Sequence, residues 1–548
     1  MGIRVKGRVW RWVLPLLSAA SFAAGPSADL PNDLRLLEAV KRQDKQAVRS
    51  LLKEHVDVNA RQGDGATALV WAADRNDLEI ADLLIRAGGD ANAANEYGVT
   101  PLSLACANGN AAMVERLLKA GANPNAARGT GESPLMTCAR VGAVEAVKLL
   151  LARGADRNAK DTGRGQTALM WAAAQKHSDI VQVLVDHKAD LHARSAVLPV
   201  YKPTLPITYG RNVHFPETKG GFTALLFAAQ AGDLESVRVL VAAGARMNDA
   251  TPEAGSALVV AAVNGQEKVT LFLLDHGADP NIADGYGMTA LHWAVQEGVK
   301  TLYGKPAEND HFWEHPNMPE LVKALLVHGA NPNARIKKDF DPYIHRFARS
   351  RGLDLPQAGL TGATAFLLAA ASGDHGMMRL LLEGKADPQI ATVEGLTPLM
   401  VAAGVGVEWM AGASTGVSGA HMEGDSLAPE EEKNYLEAVK LAVERGGAVN
   451  APGLGGRTAL HGAAFWGATQ IIQYLAEKGA DLEAQDMYGQ SAMTVALGDP
   501  GHLIYRQLPD QDFDFRFRGP KGHKKAADLL IKLGAKPYTG PVADRSGQ

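Results

Sequence analysis

One string of residues recurs along this chain at a nearly constant interval. The string Thr-x-Leu-x-x-Ala, or a close variant of it, begins at eleven positions. These positions are Thr67, Thr100, Ser133, Thr167, Thr223, Ser256, Thr289, Thr364, Thr397, Thr458 and Ser491. Six of the intervals are 33 residues and one is 34. Such self-similarity indicates stacked repeats, and 548 residues are in any case too many for one ordinary globular core.

A second string, Gly-Ala-(Asp/Asn)-x-Asn, follows most copies of the first, as in Gly121–Asn125 and Gly277–Asn281. The Thr or Ser that opens the first string caps a helix, since its hydroxyl accepts a bond from a free backbone N–H. The Leu and Ala positions bury one side of that helix, and apolar residues at helical spacing predict a second helix. The glycine of the second string ends the second helix in a left-handed conformation. Lys188 and Lys385 replace that glycine, so we expect slightly strained turns there.

Two copies of the first string carry a family resemblance most clearly: Thr100–Ala105 (Thr-Pro-Leu-Ser-Leu-Ala) and Thr289–Ala294 (Thr-Ala-Leu-His-Trp-Ala). They resemble the helix start of the ankyrin consensus, and the match extends over residues 33–537. The resemblance implies an all-α ankyrin-repeat solenoid of about twelve helix-turn-helix units, joined by β-hairpin fingers. It also implies that the consensus histidines, His292 and His461, are structural residues that order a turn.

The repeat period divides the chain into segments. Residues 33–64 lack the Thr-x-Leu start and are expected to form a degenerate N-terminal capping repeat. The expected ankyrin-repeat segments are 65–194, 220–299, 362–403 and 433–497, with 319–336 as the second helix of an interrupted repeat and 522–537 as the C-terminal capping helix. The expected insertions are 195–219, 300–318, 337–361, 404–432 and 498–521, and a disordered tail follows at 538–548.

The insertions differ in where the repeat places them. Those at 195–219 and 337–361 extend fingers, and by the family resemblance they should lean over the concave groove. The other three follow a first helix and belong at the opposite edge. Long ordered loops are often functional, and tolerated surface elaboration is the open alternative.

The N-terminus predicts an export signal. Four basic residues and no acidic one lie within the first 23, and an apolar run from Trp12 to Ala24 ends in small residues. We therefore expect residues 1–24 to be a cleaved signal peptide, and the protein to be periplasmic or extracellular. Removal of those four basic residues takes the net charge from −4 to −8, which is not a nucleic-acid footprint. No later stretch is long and apolar enough to predict a membrane span.

The chain has two cysteines, Cys106 and Cys138. The repeat alignment puts them on the first helices of adjacent units. Packed helices lie about 8–10 Å apart, beyond the Cα separation of about 7 Å that a disulfide tolerates. We therefore expect two free, buried thiols that fill the core.

The concave face is the principal candidate site, because in the ankyrin family it is formed by the fingers and the first helices. The predicted partner-binding residues on the first helices share one motif position: Trp71, Trp171, Phe227 and Trp293. The predicted fingertip residues are Tyr97, Arg164, Phe222, Tyr286, Arg457 and Tyr488. Packing of the helix aromatics against a neighbouring helix is the alternative.

Three other patterns indicate less. His311 and His315 stand four residues apart but lack a third ligand and precede Pro316, so no metal site is expected. Basic residues are interleaved with aromatic ones over 337–351, a pattern that can bind an acidic peptide or a polyanion, and a solvated loop is the alternative. No catalytic motif is present, so we expect neither an enzyme nor a cofactor.

The sequence as a whole predicts an exported, monomeric repeat protein that binds a protein partner in its concave groove. It predicts neither nucleic-acid binding nor stable membrane insertion. Two rival hypotheses stay open: a small-molecule or metal-binding exported protein that uses the inserted loops, and a secreted effector that binds a host protein through the same groove.

Overall fold

A computed structural model describes residues 32–200, 217–297, 315–338, 360–405, 427–487, 489–497 and 522–539. The predicted signal peptide, the tail beyond residue 539, Tyr488 and most of the insertions other than the strand-forming ends of 195–219 lie outside these residues. Within them the fold is all-α, and 24 helices form twelve antiparallel pairs. This confirms the all-α solenoid of helix pairs that the family resemblance implies.

The first six pairs occupy the N-terminal half of the chain. Their helices are α1 (Asn32–Lys41) and α2 (Lys45–Lys53), α3 (Ala68–Asp74) and α4 (Leu78–Arg86), α5 (Pro101–Ala107) and α6 (Ala111–Lys119), α7 (Pro134–Val141) and α8 (Val144–Ala152), α9 (Ala168–Ala174) and α10 (Ser178–Asp186), α11 (Ala224–Ala231) and α12 (Leu234–Ala242). Strands β1 (Val197–Val200) and β2 (Glu217–Gly220) pair antiparallel between α10 and α11. They form the base of an extended finger within the insertion expected at 195–219.

The second six pairs follow the same plan. Their helices are α13 (Ala257–Val263) and α14 (Glu267–Asp275), α15 (Ala290–Ala294) and α16 (Pro319–Val327), α17 (Ala365–Ala371) and α18 (His375–Glu383), α19 (Pro398–Ala402) and α20 (Pro429–Glu444), α21 (Ala459–Phe465) and α22 (Thr469–Glu477), α23 (Ala492–Ala496) and α24 (Lys524–Leu533). The last helix coincides with the one that the sequence predicts.

Each unit buries its apolar residues against its neighbours. First helices pack on first helices, as α3 does on α5 and α5 on α7, while second helices stack in a parallel layer, as α6 does on α8. The buried side chains form one continuous cluster that extends from Leu36 to Ala535. Stability therefore accumulates from neighbour to neighbour, and the first-helix side chains that face away from the second layer remain available as a surface.

The hydroxyl at the start of the first string caps its helix in most units. Thr100 and Thr397, for example, accept a bond from the backbone N–H three residues later. In two units a histidine at that third position bonds back to the cap: the N–H of Thr289 donates to Nδ1 of His292, and that of Thr458 donates to Nδ1 of His461. The same histidines reach the next unit through Nε2, so the expectation that they are structural is confirmed.

The last asparagine of the second string links consecutive units. The side chain of Asn92 donates to the carbonyl of Gly121 over 2.9 Å and accepts the N–H of Asn123 over 2.7 Å. Asn125 and Asn450 each make the same pair of bonds to the glycine and Asp of the following unit. This asparagine recurs because its amide satisfies one donor and one acceptor that the end of the neighbouring helix leaves free.

The two lysines at the glycine position adopt the strained conformation that the sequence predicts. The φ angle is 62° at Lys188 and 67° at Lys385. A side chain in this left-handed region costs about 1 kcal/mol relative to glycine. The array tolerates the cost because both turns are exposed.

The prediction of two free thiols is wrong: Cys106 and Cys138 form a disulfide with a Cα–Cα distance of 4.6 Å. The error lies in equating the distance between helix axes with the distance between Cα atoms. Cα atoms lie on a cylinder of radius about 2.3 Å, so two that face each other lie about 4–5 Å closer than the axes. The disulfide joins α5 to α7 and is fully buried.

Reduction of this disulfide should destabilise the N-terminal units by about 4 kcal/mol, since the two cysteines are 32 residues apart in the sequence. The measurement is urea unfolding with and without reductant, together with the intact mass after alkylation. The variant Cys106→Ala/Cys138→Ala should unfold identically in both conditions. A wild-type protein that alkylates fully without reductant would contradict the assignment.

The buried histidines should make the array sensitive to mild acid. Burial lowers the pKa of His292 to about 4, and it also lowers the pKa of His461. The unfolded chain takes up a proton near pH 6.5 whereas the folded chain resists it, so the free energy of unfolding falls as the pH drops from about 6.5 towards 4.

Between about pH 7.5 and pH 5, His292 alone should contribute a loss of roughly 2 kcal/mol. Urea unfolding at the two pH values measures this. The variant His292→Gln should be less stable at neutral pH but should show a smaller loss on acidification. Equal pH dependence of stability in both proteins would show that the loss on acidification does not come from His292.

Candidate functional site

The fingers lie beside one another along one edge of the array. Most finger turns donate a backbone N–H to the turn before them, and these bonds fix the direction of consecutive fingers. Examples are Glu96 to Asp64 at 3.0 Å, Thr162 to Thr130 at 3.0 Å and Ala196 to Arg164 at 2.7 Å. The concave groove is the surface between these fingers and the outward-facing side of the first helices α3 to α23.

The floor of the groove is set by one motif position, the fourth residue after the capping Thr or Ser. In the N-terminal units, Trp71, Leu104, Trp171 and Phe227 are half-buried at this position, whereas Thr137 is buried. In the first helices α13, α15, α17 and α19 the residue at this position is buried. The exposed fractions are 4% for Val260, 4% for Trp293, 0% for Leu368 and 0% for Val401. The accessible aromatic floor therefore lies between α3 and α11.

Two of the three floor tryptophans use their indole N–H within the chain. Nε1 of Trp71 donates to the side-chain oxygen of Gln62 over 3.2 Å, and Nε1 of Trp293 donates to the carboxylate of Asp284 over 2.9 Å. Both acceptors begin the preceding finger turn. With its bond made and its ring buried, Trp293 belongs to the core and not to the accessible floor.

Trp171 differs because its finger is one residue longer. In this turn the N–H of Asp161 bonds to the carbonyl five residues on, at Gln166, and not four residues on. Both carboxylate oxygens of Asp161 then accept backbone N–H groups of the same turn, from Arg164 and Gln166. Within the described residues, Nε1 of Trp171 is buried without an acceptor. The extra residue in this finger accounts for the 34-residue interval between Ser133 and Thr167.

The substitutions Trp71→Phe and Trp171→Phe should therefore differ in their effect on stability. The first removes a hydrogen bond and strands an oxygen of Gln62, whereas the second removes a donor that has no internal partner. We expect Trp71→Phe to cost at least about 1 kcal/mol more than Trp171→Phe. Urea unfolding measures both, and a larger loss for Trp171→Phe would contradict the assigned bonding.

Cations stack on the floor tryptophans, a feature that the sequence analysis missed. The ring centroid of Trp71 lies 5.0 Å from Nζ of Lys41 and 5.9 Å from Cζ of Arg75, and that of Trp171 lies 5.5 Å from Cζ of Arg140. Arg75 follows Trp71 by four residues and caps the C-terminus of the same helix, a spacing that places side chains together. Alignment at the 33-residue period would have placed Lys41 and Arg140 as well, one unit before each tryptophan.

The predicted fingertip residues have different environments. Tyr97 is 67% exposed and Arg164 is exposed, so both present their side chains to solvent. Phe222 and Tyr286 are half-buried: Phe222 packs on Phe227 with ring centroids 5.3 Å apart, and the amine of Lys338 lies 5.2 Å from the ring of Tyr286.

Arg457 does not present its side chain to solvent. It is 9% exposed, and its Nε donates to the carboxylate of Asp486 over 3.2 Å. The arginine thus holds two C-terminal fingers together. Its burial removes it from the accessible surface.

The two insertions at the finger edge are each anchored by an arginine at the equivalent position. Arg194, just before the first insertion, donates to the carbonyls of Gly221 and Ala250 over 3.0 and 3.2 Å. Arg335, just before the second, donates to the equivalent carbonyls of Gly362 and Ala391 over 3.1 and 2.6 Å. The sequence separations of 27 and 56 residues are identical in the two sets. An arginine thus fastens the base of each insertion to the following finger.

Neither a metal centre nor a membrane span is found in the part of the chain that the structure describes. No three His, Cys, Asp or Glu side chains converge there as metal ligands. His311 lies outside this part, and Nδ1 of His315 lies 3.0 Å from the carbonyl of Pro316. Its helices are all too short or too polar to cross a bilayer.

Comparison with known families decides what this array is. A family model described as ankyrin repeats in three copies matches residues 36–128, 120–195, 207–284, 225–312 and 430–505. A model of the single ankyrin repeat matches residues 361–393. Together the matches cover more than half of the chain. The chain belongs to the ankyrin-repeat family.

Several curated proteins are similar to this chain over part of their length. Human mitochondrial disaggregase is 28% identical over 178 residues, which are 32% of this chain and 24% of the relative. The E3 ubiquitin-protein ligase KEG of Arabidopsis thaliana is 28% identical over 299 residues, 53% of this chain and 16% of the relative. The mouse B-cell lymphoma 3 protein homolog is 28% identical over 185 residues, 33% of this chain and 37% of the relative.

The chain thus spans well under half of these relatives, whose names describe unrelated tasks. The ankyrin array of this chain is typically a non-catalytic scaffold for protein–protein interaction. The family assignment therefore makes this chain an interaction scaffold. The floor position is half-buried in most first helices from α3 to α11 and buried from α13 to α19.

Proposed function

We propose that this protein is an exported scaffold that binds a protein partner in the concave groove and catalyses no reaction itself. The observation that carries the proposal is the half-buried aromatic floor formed by Trp71, Trp171 and Phe227. Large aromatic side chains are the residues that most often dominate binding energy at protein interfaces. They are presented by helices that are locked to their neighbours, so little conformational entropy is lost when a partner docks.

Two independent features support export. The first 24 residues have the basic start, apolar run and small-residue end of a signal peptide. The disulfide between Cys106 and Cys138 is of the kind that persists in oxidising compartments such as the periplasm or the cell exterior. The proposed partner is accordingly another exported protein, or a protein that the scaffold meets outside the cell.

The groove is tested by partner capture with the variant Trp71→Ala/Trp171→Ala. Both residues belong to the accessible floor, whereas Trp293 is omitted because its loss would disturb the core. Chemical cross-linking in the exported fraction, followed by mass spectrometry, should recover a partner with the wild-type protein. Capture should fall at least about tenfold with the double variant, as expected when aromatic anchors are removed.

The matched control is Phe272→Ala, which removes an aromatic side chain from the second-helix layer on α14. This variant should capture the partner as well as the wild type does. Circular dichroism should show that all three proteins keep their helicity. Undiminished capture by a folded Trp71→Ala/Trp171→Ala protein would refute the groove as the binding surface.

A further inference from the structure

Charged residues are unevenly distributed along the edge of the groove opposite the fingers. This edge consists of the last residue of each first helix and the residues that follow it. The first unit has no cap and is counted from residue 34, one period before Thr67. On this count, the seventh to ninth positions after the cap in the first five units carry five basic residues and one acidic residue, Asp74. The basic residues are Lys41, Arg42, Arg75, Arg140 and Lys176. In the described residues from α11 onward these positions carry no basic residue and one acidic residue, Glu297.

These positions in the first five units form a basic strip along the rim of the groove, although the whole chain has a net charge of −4. Cations near a helix C-terminus also interact favourably with the helix dipole, which is the simplest explanation for them. The later first helices have the same dipole, however, and carry no such cations. The dipole alone therefore does not account for a basic strip confined to the first five units.

The strip is also the part of the groove with an aromatic floor. Lys41 and Arg75 lie over the ring of Trp71, and Arg140 lies over the ring of Trp171. Lys41 and Arg140 each have an acidic neighbour as well, Glu38 at 2.8 Å and Glu132 at 3.4 Å. Arg42, Arg75 and Lys176 are exposed at the rim. Positive charge and open apolar surface thus coincide over the same units.

We propose that the groove between α1 and α11 recognises an extended acidic segment of the partner, in which carboxylates are interspersed with apolar side chains. The proposal rests on the proposed function and adds the chemistry of the partner. Carboxylates of the segment pair with the guanidinium and ammonium groups of the rim. Its apolar side chains cover the floor at Trp71, Leu104 and Trp171.

A peptide fits this surface better than a nucleic acid. A nucleic acid carries a negative charge at every phosphate and is held by a dense basic face. Here the five cations belong to four of the five units, since the unit of α5 has none, and acidic residues such as Asp74 and Glu132 lie among them. The floor between the cations is apolar, so apolar peptide side chains can pack on it, whereas a phosphate backbone has no apolar groups that could do so.

The probe is a short fluorescein-labelled peptide that contains Glu and Leu separated by Ser, and fluorescence anisotropy with the purified protein measures its binding. A peptide with Lys in place of Glu, and an oligothymidylate of similar length, are the two comparison probes. The Glu peptide should bind, and its affinity should fall when NaCl is raised from about 50 mM to about 500 mM. Equal or tighter binding of either comparison probe would overturn the proposal.

Charge reversal then locates the site. Arg75→Glu/Arg140→Glu should weaken binding of the Glu peptide at least about tenfold. The matched control Arg238→Glu/Lys268→Glu reverses two charges on the second helices α12 and α14 and should leave binding unchanged. Because Arg140 also pairs with Glu132, Arg42→Glu/Lys176→Glu provides a second groove variant at two exposed positions. Undiminished binding by either folded groove variant would overturn the proposal.

The outcomes separate this proposal from the proposed function. If partner capture depends on Trp71 and Trp171 but the Glu peptide does not bind, the groove is the binding surface and the acidic-segment proposal is wrong. If neither capture nor peptide binding depends on the groove residues, both proposals are wrong.

Discussion

Close packing between the first helices of adjacent units is the interaction on which the rest of this structure depends. Small residues at the Ala positions let these helices approach until facing Cα atoms are 4.6 Å apart, as at Cys106 and Cys138. At that separation the asparagine of one unit reaches the helix end of the next, and most finger turns bond to their neighbours. The stacking that builds the core therefore also aligns the groove.

The repeat period predicted most of the fold, because each unit repeats the same local requirements for a cap, a buried stripe and a left-handed turn. The positive φ angles at Lys188 and Lys385 and the final helix Lys524–Leu533 agree with expectation for that reason. The disulfide was predicted wrongly because a sequence period gives the order of helices but not which atoms face each other. That information depends on the rotation of each helix about its axis.

The candidate site was predicted only in part, since a shared motif position does not ensure a shared environment. Trp71, Trp171 and Trp293 occupy equivalent positions, yet Trp293 is buried, and Trp171 lacks the acceptor that the other two have. One extra residue in a finger turn is enough to divert the carboxylate of Asp161. Arg457 was predicted as a contact residue, but a buried partner, Asp486, holds it inside the array.

The most direct test of the central claim is hydrogen–deuterium exchange of the protein alone and bound to its captured partner. If the open groove of the N-terminal units is the binding surface, exchange should slow in α3, α5, α7 and α9 and in the finger turns between them. Exchange in the second helices α4, α6, α8 and α10 should stay the same. Protection confined to the second helices, or to the units after α13, would contradict the account.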